Sequence, residues 1–229
     1  MAQVTFVRHG QASVQGPSYD ALSPLGHAQA TRLGEYWAER QVTFDRVYVG
    51  PRRRHAETAS RVADVYRTHG LYWPEPLPMP ALDEHDGIQV LKRAAGIHER
   101  GDALLTGDGD RDAAVRRLFG RYREIMAEWA AGGYADEAIE PWHAFRSRAS
   151  ALVQDICAMN GRVVAFTSGG LMAAVVGAVL DLDDPRVVHL SAEVHNTALT
   201  QLRHRPGEVS LMNFNAIPHL HEAALITRV

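Results

Sequence analysis

Cysteine is almost absent from this chain. Its 229 residues include a single cysteine, Cys157, so no disulfide can form within the chain. Proteins without disulfides are typical of reducing compartments, and we therefore expect a cytoplasmic protein. The residues around Cys157 have a helical pattern, which favours a buried, unreactive thiol over a reactive one.

Long apolar runs and an excess of charge are lacking too, and we expect no secretory leader. The longest apolar run, near residues 171–180, is well short of the roughly 20 residues that cross a bilayer, so we expect no contact with a membrane. The first three residues do not introduce the basic and apolar regions of a signal peptide. The net charge of −3 excludes an overall positive field that would hold a nucleic acid.

What the sequence does contain is an alternation of strand and helix patterns. Apolar runs at residues 4–7, 44–49 and 162–167 predict strands, and each is followed by a segment with helical spacing of apolar residues. Two further strands, at residues 197–203 and 208–213, are joined by a hairpin-like turn. This order predicts an α/β three-layer sandwich whose central sheet is mostly parallel, with an antiparallel edge strand.

One stretch, residues 88–140, has a different texture and is interpreted as a helical insertion, or cap, over the functional edge of the sheet. Its residues 96–109 are polar and contain glycine, which indicates a loop or lid. Apolar residues at helical spacing then run from Val115 to Trp129. No linker composition isolates the stretch, so we expect one domain over residues 1–229.

Three strand ends carry residues that suit an anion better than a protein core. Arg8 and His9 end the first strand, three arginines at residues 52–54 follow the second, and Ser168 and Gly169 follow the third. The carboxyl ends of parallel strands lie at one edge of a sheet, where helix N-termini add N–H donors, so we expect these junctions to converge. Such an edge is suited to a dianion such as phosphate.

A histidine beside a bound phosphate has a specific chemical use. A neutral imidazole can attack phosphorus and become a phosphohistidine, which makes His9 a candidate nucleophile. The carboxyl of Glu84 could protonate the leaving oxygen and later activate water. A plain alternative for Glu84 is a loop carboxylate paired with one of the arginines.

Four segments resemble, in the same order, those of the histidine phosphatase superfamily, the phosphoglycerate mutase-like proteins. Residues 6–10, FVRHG, resemble its signature, and residues 22–30, LSPLGHAQA, are similar to Leu-Thr-x-x-Gly-x-x-Gln-Ala. Residues 50–59, GPRRRHAETA, are similar to Ser-x-Leu-x-Arg-Ala-x-x-Thr-Ala. Residues 82–87, LDEHDG, resemble the acid-bearing Leu-x-Glu-x-x-x-Gly with one residue fewer. The resemblance covers most of the chain and is weakest over residues 88–140.

This resemblance implies a phosphatase that hydrolyses a phosphomonoester through a phosphohistidine on His9. The catalytic residues that it implies are His9, Glu84, Arg8 and Arg54. The substrate-binding residues that we assign are Arg8, Gln11, Arg54, Ser168 and Gly169. The histidines match no strong zinc spacing and no paired cysteines assist them, so we expect no metal, and we expect no cofactor. The expected partner is a phosphorylated small molecule, with a homodimer as a compatible assembly.

Ser168 departs from the family's pattern. The family's motif at this strand ends in His-Gly, and that histidine holds the phosphoryl group and orients the nucleophile. A serine donates one hydrogen bond but carries no charge near neutral pH, and losing such a donor costs on the order of 10²–10³ in rate. The residues considered as replacements are His85, His189, His195 and His219. Ser168 is equally well explained as a helix N-cap.

Three other functions follow from this departure or compete with it. A catalytically weak relative that binds a phosphorylated ligand would explain Ser168. A serine hydrolase would use Ser168 as nucleophile, but the pattern Gly-x-Ser-x-Gly would require glycine where Phe166 stands. A phosphoglycerate mutase is disfavoured, because nothing in the sequence indicates that water is kept from a phosphoenzyme.

Overall fold

A six-stranded sheet forms the centre of the protein in the computed structural model, which describes residues 2–13, 20–96, 120–134 and 136–228. The strands are β1 (Ala2–Arg8), β2 (Arg46–Val49), β3 (Pro76–Pro78), β4 (Gly161–Thr167), β5 (Leu199–Arg205) and β6 (Glu208–Ala216). Their order across the sheet is β3-β2-β4-β1-β5-β6. The first four are mutually parallel, β5 is antiparallel to β1, and β6 is antiparallel to β5. The predicted sheet is therefore confirmed.

Helices cover both faces of this sheet. They are α1 (Pro24–Glu39), α2 (Arg53–Thr68), α3 (Gly87–Ala94), α4 (Tyr122–Ala130), α5 (Trp142–Ala158), α6 (Gly169–Leu180) and α7 (Asp184–Glu193), with 3₁₀ turns at Pro80–Leu82 and Ala223–Leu225. Within the described parts of the chain, none of them is both long enough and apolar enough to cross a bilayer.

The alternation of side chains along the strands produces the three layers. In β1, Val4 and Phe6 belong to a core shared with α5, α6 and α7, whereas Val7 belongs to a core shared with α1 and α2. In β4, Ala165 and Phe166 divide between the two cores in the same way. Successive residues of a strand point to opposite faces, so a strand buried on both faces reads as one continuous apolar run.

Several element boundaries differ from the sequence prediction for local reasons. The second strand begins at Arg46 rather than at residue 44, and Phe44 is buried ahead of it. The hairpin begins at Leu199 rather than at residue 197, because Thr197 has a left-handed backbone (φ 56°) that strands do not accommodate. The proline-rich stretch forms β3, an edge strand, where a missing N–H is tolerated.

Helix α7 is absent from the sequence prediction, although its start has a clear signal. The side chain of Asp183 caps the helix by accepting a hydrogen bond from the Arg186 N–H, and Pro185 lies in its first turn. An N-cap aspartate followed by proline is a typical helix beginning. Two of its residues, Val187 and Val188, are buried in the core.

The interpretation of residues 88–140 as a helical cap stays a prediction. Helices α3 and α4 belong to this stretch, and their buried residues join the same core as α5 and α6. Those buried residues are Val90, Leu91, Ile125, Met126 and Trp129. The predicted lid after Gly96 and the predicted helix start at Val115 lie outside the described residues.

Candidate active site

The three predicted strand ends meet at one edge of the sheet. The N–H of His9, just after β1, donates to the carbonyl of Thr167 at the end of β4 (2.9 Å). The N–H of Gly50, just after β2, donates to the carbonyl of Phe166 (3.0 Å). A cavity of about 370 Å³ opens at this edge. Among the residues that line it are Arg8, His9, Arg54, Glu84 and Gly169.

The imidazole of His9 is held in one tautomer. Its Nδ1 lies 2.7 Å from the carbonyl oxygen of Gly10, which can only accept, so Nδ1 carries the proton and Nε2 carries the lone pair. Burial, together with the positive charges of Arg54 and Arg8, holds the pKa of His9 well below its usual value. A neutral imidazole with Nε2 unprotonated is the form that can act as a nucleophile.

The backbone around His9 is fixed from three directions. The N–H of Thr197 donates to the His9 carbonyl (3.2 Å), and the side-chain amide of Asn196 donates to the same oxygen (3.3 Å). The N–H of Gly10 donates to the hydroxyl of Thr58 on α2 (3.0 Å). A Cβ atom at Gly10 would collide with the backbone carbonyl of Gly26, so α1 touches this loop directly.

Two guanidinium groups border the cavity beside His9. Arg8 donates through Nη1 to the carbonyl of Val194, at the end of α7. Arg54, which is 8% exposed, donates through Nη1 to the carboxylate of Asp20 (2.9 Å). The second oxygen of Asp20 accepts the Arg53 N–H at the start of α2 (2.7 Å). Asp20 therefore orients the side chain of Arg54 and the helix that carries it.

The contacts of the Glu84 carboxyl favour its ionised form. One oxygen lies 2.8 Å from Nδ1 of His85, and the other accepts the N–H of Gly170 (2.9 Å). Burial alone would raise the pKa of Glu84, but the charge and hydrogen bond of His85, the Gly170 N–H and the charge of Arg54 outweigh it. Together they lower this pKa to about 2.

The start of α6 is built from two glycines that face these side chains. Gly169 lines the cavity, and a Cβ there would be 3.3 Å from Nε of Arg8. A Cβ at Gly170 would collide with the Glu84 carboxylate and lie 2.6 Å from Nδ1 of His85. Residue 170 must therefore lack a side chain for Glu84 to reach the helix N-terminus.

Ser168 lies behind the cavity wall rather than on it. It has no exposed surface, and its Oγ is 2.6 Å from Nε2 of His55. It occupies the N-cap position of α6, but its side chain makes no capping hydrogen bond. The hydroxyl is directed to His55, a fully buried residue of α2 that is not among the replacements expected from the sequence.

The four histidines considered as replacements lie elsewhere. His85 borders the cavity, but beside Glu84. His219 bonds to the hydroxyl of Thr197 (2.8 Å), His195 lies 3.2 Å from the amide oxygen of Asn215, and His189 is exposed. No sequence pattern singles out His55, except that it directly follows Arg54.

Gln11 is placed in the contact between the His9 loop and α1. Its side-chain oxygen accepts from the hydroxyl of Ser23 (2.8 Å), which also caps α1 by accepting the Gly26 N–H (3.1 Å). Its own N–H donates to the side chain of Gln29 (2.8 Å). These contacts support a role in holding the loop, and a direct contact of Gln11 with substrate stays a prediction.

Some cavity residues come from segments that the sequence analysis did not connect with the site. They include Asp20, Glu193, Asn196 and Arg228. They come from three separate stretches of the chain and share no local pattern, so only their assembly in the fold identifies them. The cavity is also lined by Arg52, from the predicted arginine junction, and by Ile88, Leu91, Tyr122 and Arg123, from the predicted cap. In the described ranges, no group of three or more His, Cys, Asp or Glu side chains is arranged to hold a metal ion.

Solved structures share this architecture. A phosphoserine phosphatase mutant from Entamoeba histolytica, in complex with phosphoserine, has a TM-score of 0.64 at 20% identity, over 96% of this chain and 100% of its own. A mycobacterial glucosyl-3-phosphoglycerate phosphatase with inorganic phosphate has a TM-score of 0.64 at 23% identity, over 95% and 99%. Phosphoglycerate mutase from Bacillus anthracis has 0.61 at 16%, over 95% and 94%. These likenesses show a phosphoglycerate mutase-like fold.

Sequence comparison extends the likeness. A broad-specificity phosphatase of Saccharomyces cerevisiae is 25% identical over 142 residues, which span 58% of this chain and 62% of the yeast protein. The sequence profile of the histidine phosphatase superfamily (branch 1) matches residues 4–217. Because that profile runs from the first strand of the sheet to the last, this chain belongs to the histidine phosphatase superfamily, branch 1.

Proposed function

We propose that the protein is a phosphatase that hydrolyses small phosphomonoesters through a phosphohistidine on His9. The observation that carries this proposal is the state of His9: a buried, neutral imidazole whose Nδ1 is occupied by Gly10, placed in one cavity with Arg8 and Arg54. Two guanidiniums attract a phosphoryl dianion and leave the adjacent lone pair of Nε2 as the nucleophile.

In the first step, the Nε2 lone pair of His9 attacks phosphorus, and the bond from phosphorus to the ester oxygen breaks. The leaving oxygen takes a proton from the carboxyl of Glu84, and an alcohol departs. Arg8, Arg54 and the N–H of Gly169 stabilise the negative charge on the phosphoryl oxygens during transfer. The product is a phosphohistidine and an ionised Glu84.

In the second step, Glu84 acts as a base. Its carboxylate takes a proton from water, the hydroxide oxygen bonds to phosphorus, and the N–P bond breaks. Inorganic phosphate leaves, the electron pair returns to Nε2 of His9, and Glu84 is protonated for the next turnover. Each proton that Glu84 donates in the first step is thus recovered in the second.

The low pKa of Glu84 sets a condition on the first step, because the carboxyl must carry a proton before it can donate one. A phosphate group in the same cavity adds negative charge, which raises the pKa of this carboxyl. A monoanionic ester also brings a proton with it, since phosphomonoesters lose their second proton near pH 6, as phosphoserine does. Substrate binding therefore prepares Glu84 for proton donation.

The direct test is whether His9 becomes phosphorylated. The protein is mixed with p-nitrophenyl phosphate, stopped in alkali and analysed by mass spectrometry, and steady-state rates are measured in parallel. We expect phosphate on His9 and a loss of about 10³-fold or more in kcat for His9→Ala, because the nucleophile is removed. His189→Ala, at an exposed position, is the control. Equal rates for wild type and His9→Ala would refute the mechanism.

A catalytically weak protein that binds a phosphorylated ligand is the second candidate. Ser168 favours it, because the hydroxyl supplies no charge to the phosphoryl group. It predicts saturable binding of phosphoserine or 3-phosphoglycerate by calorimetry with almost no phosphate release. Brisk turnover of any of these esters would exclude it.

The substrate, the cellular location and the oligomeric state are proposed from fewer observations than the mechanism. A cavity of this size, with Ile88 and Leu91 beside the arginines, suits a small organic phosphate rather than a macromolecule. Relatives named for phosphoserine and glucosyl-3-phosphoglycerate motivate testing those esters first. A cytoplasmic location, based on the single cysteine, and a homodimer stay predictions.

A further inference from the structure

We propose that His55 is a positioning residue of the phosphoryl site, which works through Ser168 and orients the nucleophile, one of the two tasks that the resemblance gives to an imidazole at position 168. This inference rests on the proposed phosphatase function and concerns a residue that the mechanism above does not use. His55 touches no cavity surface, so its effect must pass through the groups that it contacts.

The bond between His55 and Ser168 joins the two halves of the site. His55 lies next to Arg54 at the start of α2, and Ser168 lies next to Gly169 at the start of α6. Their side chains meet at 2.6 Å, with both residues fully buried. This hydrogen bond therefore joins the start of α2, which carries Arg54, to the start of α6, where Gly169 lines the cavity.

The same imidazole also supports the nucleophile. The ring centroids of His55 and His9 are 5.8 Å apart, with their planes tilted by 37°. Burial and the charge of Arg54 lower the pKa of His55 to about 3, so the ring packs beside His9 without a charge of its own. Removing it would leave a cavity against the ring of His9 and permit that ring to turn.

Small residues make room for the His55 ring on two sides. A Cβ at Gly50 would collide with Nδ1 of His55, and Ser168 meets the opposite nitrogen, Nε2. In the family segment that residues 50–59 resemble, these positions hold serine at 50 and alanine at 55, and the family has histidine at 168. Here a large residue at 55 stands with small ones at 50 and 168. The imidazole that the family places at position 168, at the start of α6, is therefore replaced here by one at position 55 on α2.

This geometry predicts that Ser168→His alone impairs the protein. With His55 in place there is no room for a second ring, so the single variant should lose both stability and activity. Changing His55→Ala at the same time opens the space. We expect kcat of His55→Ala/Ser168→His to exceed that of either single variant by about tenfold or more. A double-mutant cycle in kcat and in Tm measures this coupling.

Two further variants separate positioning from simple packing. His55→Phe keeps the ring and loses the hydrogen bond to Ser168, whereas His55→Gln keeps an amide that can reach Ser168. We expect kcat for p-nitrophenyl phosphate to fall about 10²-fold in His55→Phe and His55→Ala, and less than tenfold in His55→Gln. KM should change less than threefold in all three, because Arg8 and Arg54 are retained. Melting temperatures show which variants remain folded.

The outcomes divide cleanly. Full kcat in His55→Phe would overturn the inference, since filling space would then suffice. A double variant no more active than the single ones would overturn it as well. In both cases wild type would still phosphorylate His9, so the proposed function would survive. If wild type forms no phosphohistidine and hydrolyses no ester, the function and the inference fail together.

Discussion

Two ionisable residues share the cavity with their pKa values set apart by different contacts. Burial and two guanidiniums hold the pKa of His9 well below its usual value. Glu84 is buried as well, but its contacts with His85 and Gly170 favour the charged form and bring its pKa to about 2. A neutral base and an ionised acid therefore coexist in the ligand-free site, which suits a nucleophile and a proton acceptor.

Glu84→Gln should make the rate depend on the leaving group. An alkyl ester such as phosphoserine needs a proton donor, and we expect its kcat to fall about 10²–10⁴-fold. The phenolate of an aryl ester leaves readily without a proton donor, so phosphorylation of His9 continues while the second step slows. Stopped-flow measurement with p-nitrophenyl phosphate should show a burst of phenolate equal to the enzyme concentration.

A matched control for this variant is Glu140→Gln, because Glu140 pairs with Arg148 (2.7 Å) and does not belong to the proposed mechanism. It should keep both rates. Equal losses on aryl and alkyl esters in Glu84→Gln, without a burst, would show that Glu84 is not the proton donor.

At the scale of elements, close backbone approaches place the functional groups. The His9 loop meets α1 where Gly10 faces Gly26, and Glu84 meets α6 where Gly170 leaves space. Helix N-termini carry N–H donors and a positive dipole end. At these two approaches the Gly26 N–H donates to Ser23 (3.1 Å) and the Gly170 N–H donates to Glu84 (2.9 Å). The elements thus contribute to the site through backbone as much as through side chains.

Gly170→Ala should displace the Glu84 carboxylate, because the new Cβ would occupy its position. We expect a loss of about 10²-fold in kcat, as for a misplaced catalytic group. Gly169→Ala is the comparison: its Cβ would stand 3.3 Å from Arg8, a contact that a small movement relieves, so kcat should fall less than tenfold. Equal kcat values in the two variants would show that Glu84 does not need this space.

At the scale of the whole molecule, residues distant in sequence hold the backbone of His9. The hydroxyl of Thr227 donates to Asn196 (2.9 Å) and accepts from the amide of Gln29 (2.8 Å). Asn196 in turn donates to the carbonyl of His9. The last residues therefore connect α1 with the loop after β1, and the position of His9 depends on the complete fold.

Buried neutral histidines should make the fold sensitive to acid. Burial and the charge of His221 lower the pKa of His219 to about 4. As pH falls from about 6.5 to 4, this histidine takes up a proton in the unfolded chain but not in the folded one. Stability is therefore lost over this window, by up to about 1.4 kcal/mol per pH unit.

His219→Gln should remove this contribution. Urea unfolding at pH 7, 6, 5 and 4.5 should show a smaller loss of the free energy of unfolding than wild type, by roughly 1 kcal/mol per pH unit. His189→Gln, at an exposed position, should follow wild type. Identical slopes for His219→Gln and wild type would show that His219 titrates alike in both states.

Much of the fold follows from local patterns. Ser23-Pro24 predicts the start of α1. The apolar runs at residues 4–7 and 162–167 predict β1 and β4 to within two residues at each end. Local patterns do not predict the edge strand at Pro76–Pro78, because it forms by pairing with β2. The helix at Asp184–Glu193 is also absent from the sequence prediction, because it depends on the core that covers Val187. Local pattern identifies an element, and its partners decide its bounds.

The sequence by itself determined the family's segments and the alternation of strands and helices, because both are local patterns of neighbouring residues. It also determined the choice of His9, Arg8, Arg54 and Glu84 as candidates, because each lies in one of those segments. Only the tertiary structure decided that His55 meets Ser168, which lies 113 residues away in the chain. The physical reason is that contacts between buried side chains depend on the strand order and on the space that residues such as Gly50 leave. Neither can be predicted from a local sequence pattern.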